Sequence, residues 1–158
     1  QSYINAGDAA VALIPTIGIA SLIGTLIGTP LGGILTDKIK RTKAMIIAAS
    51  ILMIAGIAAP MISPTVPAMF VFSALTGLGL GAFGSVDYVL ITQVLPSTRD
   101  AGKDLGIINV TTTLPQTIGV AVGGTLVTTF GSYFALFPIA IGVVAVGTLS
   151  LIAIRGVK

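Results

Sequence analysis

One carboxylate, Asp87, lies deep inside a long apolar run, where an ionised group is expensive. It stands about 12 Å of helix from the end of that run at Leu95. No lysine or arginine of the chain lies at a similar depth, so the acid either takes up a proton or finds a partner. The first makes Asp87 a coupling-proton site. The second makes it an assembly contact, for instance with Asn109. A second polar set lies on the following run. Asn109, Thr112 or Thr113, Gln116 and Gly123 recur at helical spacing, a stripe covering about 21 Å of helix axis. Pro115 sits within it. Proline has no N–H to donate, so it tends to kink the helix and leaves a carbonyl open to solute, water or an ion. Packing of the two amides against a neighbouring helix is the competing role.

Other chemistries find no residues. Without histidine or cysteine there is no ordinary zinc or haem site, no disulfide and no imidazole proton shuttle. No Ser/Lys or paired-Asp arrangement in the spans suggests an intramembrane enzyme. The pattern GxGxxG from Gly79 to Gly84 has no strand before it, which argues against a dinucleotide site. No cofactor and no metal is expected.

The elements that must position these residues are transmembrane helices. The chain is 54% hydrophobic and 8% charged, against roughly 25% charged in soluble domains. Apolar runs extend over Ala9 to Leu35, Ala44 to Ile62, Ala68 to Leu95, Leu105 to Phe130 and Tyr133 to Ile154. Each meets or exceeds the roughly 20 residues a helix needs to cross the hydrocarbon core. They lack the alternation of barrel strands, so the expected fold is an all-α membrane domain of five spans. The first span is too long, and lacks the basic leader, for a signal peptide.

All eight basic residues fall in alternate gaps: Lys38, Lys40, Arg41 and Lys43, then Arg99 and Lys103, then Arg155 and Lys158. Retention of basic loops in the cytoplasm places the N-terminus outside and the C-terminus inside. The net charge of +3 thus reads as topology signals beside anionic headgroups, not as nucleic-acid binding. An outside start with no initiator Met suggests that at least one span precedes Gln1.

Polar residues concentrate in the first, third and fourth spans, so these are expected to line an interior, and the second and fifth to face lipid. Glycines recur every four residues at Gly24, Gly28 and Gly32, at Gly77 and Gly81, and at Gly119 and Gly123. Small residues at that spacing let helix backbones approach closely, which marks expected packing faces.

In the first basic loop, Gly33, Asp37, Lys38 and Arg41 resemble the cytoplasmic signature of the major facilitator superfamily. The loop departs from the signature at Lys40, where glycine is usual, and at Thr42, where a base is usual, as in a weaker second copy. The stretches Val86 to Pro96 and Ala101 to Gly119 resemble the tenth and eleventh spans of bacterial members related to sugar and glycoside symporters. Together these resemblances identify the chain as spans eight to twelve of a twelve-span transporter in a bacterial plasma membrane, part of the C-terminal six-helix half.

That resemblance implies alternating access between two halves, ion-coupled and with the proton as candidate ion. Its partners are the lipid bilayer, a small solute and the N-terminal half of the same protein. Asp87, Asn109, Thr113 and Gln116 become candidates for the solute or ion path. Gly33, Asp37, Lys38 and Arg41 become an inner gate, in which Asp37 pairs with Arg41 or a helix N-terminus in one state and releases it in the other. A sugar, a cationic drug and an organic acid all remain compatible. A self-assembling five-span channel or scaffold is the alternative, distinguished by activity from this chain alone.

Overall fold

A backbone shielded from water has to bond to itself, and the apolar runs accordingly form helices. The computed structural model describes residues 9–39, 42–94 and 101–153. Its helices are α1 (Ala9–Ile39), α2 (Thr42–Ile62), α3 (Val66–Val94), α4 (Ala101–Phe130) and α5 (Leu136–Ala153), with a 3-10 turn, η1, at Tyr133–Ala135. Among the described residues there is no strand. Four stretches, in α1, α2, α3 and η1–α5, are long and apolar enough to cross a membrane. The 30-residue α4 is long enough but more polar, because Asn109, Gln116 and a series of threonines dilute its apolar residues.

Several helices outrun their apolar cores. α1 continues past Leu35 to Ile39, where the Thr36 hydroxyl bonds back to the Gly32 carbonyl at 2.6 Å and Lys38 complements the C-terminal dipole. α4 begins at Ala101, a turn before Leu105. α4 runs through Pro115 as one continuous helix. Between α2 and α3 the turn is closed locally. Ser63 N–H donates to the Ala59 carbonyl at 3.1 Å, and Thr65 caps α3 by accepting from Ala68 N–H at 3.4 Å. Pro67, in the first turn of α3, occupies a place where a missing N–H costs nothing.

The third helix is the centre of the packing. Along one face it meets α1, and along the other α2. The reason lies in the sequence Gly77-Leu78-Gly79-Leu80-Gly81. Residues two apart lie about 200° apart around a helix, so Gly77 and Gly81 share one side and Gly79 takes nearly the opposite one. A Cβ on Gly77 or Gly81 would run into the backbone of α1 at Ser21 or Thr25, whereas one on Gly79 would meet Met53 and the Ala49 carbonyl of α2. On α2 the approach is returned by Gly56, against Leu75 and Thr76.

Contrary to the expectation that α2 faces lipid, one side of it is buried. Met45, Ile46, Ala49, Ser50, Gly56, Ile57 and Pro60 are covered, while Ile51 stays exposed. Polarity marks the helices that meet water or polar partners, but an apolar helix can pack as closely through small residues. α5 lies along α2, and Phe137 meets Phe72 of α3 edge to face, with ring centroids 6.1 Å apart at 88°. It remains the more peripheral helix, with Val143, Val146 and Leu149 all exposed. Two apolar crevices open along the line where α5 passes α3, one near Ile46 and Thr148, the other near Ile57 and Leu136. α2 and α5 are therefore antiparallel.

α4 joins this assembly at its far end. Among its described residues only Gly123, Leu126 and Val127 are partly covered, and it packs on η1 and α5. The reversal is made at Gly131, whose φ of +63° is a left-handed conformation that glycine adopts without penalty. Gly131 N–H donates to the Val127 carbonyl at 2.9 Å, and the Ser132 hydroxyl accepts from Phe134 N–H at 3.1 Å.

Candidate solute path

The threonines of α4 bond to their own helix, Thr112 and Thr113 on the side of Asn109 and Gln116, and Thr111 nearly opposite. Thr111 Oγ1 donates to the Ile107 carbonyl at 2.8 Å and Thr117 Oγ1 to the Thr113 carbonyl at 3.1 Å. The Asn109 carbonyl receives two hydroxyls, from Thr112 at 3.0 Å and Thr113 at 2.5 Å. One turn on, Pro115 has no N–H to give the Thr111 carbonyl. Each hydroxyl proton so used leaves the oxygen's remaining lone pairs outward, as acceptors. With the amides of Asn109 and Gln116, which offer donors and acceptors, the stripe presents neutral hydrogen-bonding groups along an exposed helix.

Asn109, Thr113 and Gln116 are thus together on one helix and all exposed. Asp87 falls within α3, and its side chain lies outside the described residues. In the gate motif, Gly33 is half-buried with open space about it, and Asp37 and Lys38 are exposed at the end of α1. Arg41 lies outside the described residues.

The glycine sets divide. A Cβ at Gly24 would come to 2.6 Å from the Ala74 carbonyl oxygen, and one at Gly28 or Gly32 would overlap Leu78, Ala82 or Ser85 of α3. With Gly77 and Gly81 facing back, α1 and α3 touch backbone to backbone. The seam is pinned by buried Ser73, whose hydroxyl donates to the Ile17 carbonyl at 2.7 Å. Gly119 and Gly123, with the same spacing, meet nothing within 4 Å. Spacing in the sequence did not mark Gly56, Gly79 or Ser73 as packing positions. The odd-numbered glycine run was the signal for Gly79, while a lone Gly56 and a lone serine carry no spacing to read.

Long apolar helices packed through small residues, beside one helix with a polar stripe, define an integral membrane protein of the α-helical class. The family model of the Major Facilitator Superfamily matches residues 2–157, nearly the whole chain. The chain belongs to that superfamily, a family of transporters. No curated protein and no solved structure matches it.

Proposed function

We propose that the chain forms spans eight to twelve of a twelve-span secondary transporter that moves a small solute by alternating access, coupled to protons. The observation that carries this reading is the family match over residues 2–157, joined to the unequal covering of the helices. α1, α2 and α3 are packed backbone to backbone, while the polar stripe of α4 is left open to whatever lies beside it. Such a stripe in a bilayer needs water, solute or polar partners. In this reading Asn109, Thr113 and Gln116 line the path and Asp87 carries the coupling proton. Asp37, Lys38 and Arg41 form the inner gate, on the cytoplasmic side of a bacterial plasma membrane. The N-terminus is then outside and the C-terminus inside, as the placement of Lys and Arg supports. The likeness to sugar and glycoside symporters and the neutral groups of α4 together favour an uncharged, hydroxylated solute.

The test is uptake into vesicles, with a panel of sugars and cationic drugs, by the full-length parent and by this chain alone. Sugar uptake by the parent that collapses with the proton gradient, and is absent from the chain alone, is the expected result. Uptake by the chain alone would replace the two-half reading with a self-assembling five-span unit.

A further inference from the structure

The crevice between α2, α3 and α5 near Ile46 has a volume of about 260 Å³. Ile46, Ser50 and Met53 of α2, Phe83 of α3, and Gly147 and Thr148 of α5 line it. Its two hydroxyls are turned to their own helices: Ser50 Oγ donates to the Ile46 carbonyl at 2.9 Å, and Thr148 Oγ1 to the Val144 carbonyl at 2.7 Å. What the walls offer is therefore hydrocarbon, which suits neither water nor a polar solute. The floor is buried, with Ile46 2% exposed and Ser50 4%. The rim, at Leu80 and Gly147, is exposed. The crevice is wide enough for a hydrocarbon chain.

Charge selects among chains. Lys43, Ile46, Ser50 and Met53 are spaced three, four and three apart, so Lys43 begins the same stripe of α2 that lines the crevice. It lies about 4.5 Å along the axis before Ile46, at the end of the helix where a lysine reaches the headgroup layer. We propose that this crevice holds one acyl chain of an anionic phospholipid from the adjoining leaflet, with its headgroup phosphate at Lys43.

The experiment places the full chain in phosphatidylcholine vesicles containing a small fraction of phosphatidylglycerol with a photoreactive group at mid-chain, and maps the labelled residues after illumination. Label is expected several-fold enriched at Met53 and around Gly147 over the exposed α1 positions Leu22 and Leu26. Unlabelled phosphatidylglycerol should displace it, and phosphatidylcholine at the same fraction should not. This comparison needs no variant. Gly147→Leu, which fills the crevice, should abolish the enrichment, and Lys43→Gln should remove the preference for the anionic lipid. Even labelling of α1 and α5, indifference to the competitor's headgroup, or cross-linking of the crevice to a second copy of the chain would each overturn the proposal.

Discussion

The hydroxyl of Ser73 on α3 donates to the main-chain carbonyl of Ile17 on α1 at 2.7 Å, across 56 residues of sequence. The bond is possible because the two backbones already lie in contact at Gly24 and Gly77. Close approach lets the bond form, and the bond fixes the register. An Ser73→Ala variant should lose about 0.6–1 kcal/mol of stability, since the Ile17 carbonyl keeps its place in the α1 ladder. Reversible unfolding in mixed detergent measures this, and a loss above about 2 kcal/mol would mean that Ser73 carries more than one interhelical bond.

Position should decide the effect of adding one methyl group to a glycine. Gly28→Ala puts a Cβ into the backbone of Leu78, where no side chain can move aside. The cost should be at least 1–3 kcal/mol, the usual range for overpacking (~2 kcal/mol). Gly18→Ala and Gly119→Ala enter open space and should change stability by less than about 0.5 kcal/mol. Equal losses at Gly28 and Gly119 in the same unfolding assay would show that α4 is closely covered in the membrane.

Pro115 separates a path from a packing contact. Pro115→Ala returns an N–H to the Thr111 carbonyl, so the variant should be at least as stable as the parent. If that carbonyl serves solute or water, maximal uptake should fall several-fold while folded yield holds. Unchanged uptake would make Pro115 a packing residue.

Coupling can be tested directly at Asp87. In the proposed twelve-span transporter, Asp87→Asn should abolish accumulation driven by a proton gradient but keep downhill exchange of solute. Loss of both points to assembly or binding. Retention of gradient-driven uptake with its pH dependence removes Asp87 from coupling.

Helices were legible in the sequence because apolar length is a coarse and cumulative signal. Their ends were less so: hydropathy detects the part in hydrocarbon, while Thr36–Ile39 and the turn from Ala101 continue the helix into charged surroundings. Spacing alone gave Gly24, Gly28, Gly32, Gly77 and Gly81 a face, but the same spacing at Gly119 and Gly123 meets open space. A small-residue stripe permits contact and does not supply the partner. Burial of α2 was not legible, because its contact face is made of Ala49, Gly56 and aliphatic residues that would suit lipid equally well.

The reversal at Gly131 has a bearing on how the protein is made. α4 is the helix least suited by composition to leave water alone, whereas the η1–α5 stretch, which starts two residues beyond it at Tyr133, is strongly apolar. A link that short, bent by one glycine and capped by Ser132, ties the fates of the two during synthesis. They should enter the bilayer as one hairpin, with α5 supplying the partition energy that α4 lacks. Lengthening the turn would therefore act first on insertion efficiency, before any effect on the folded bundle.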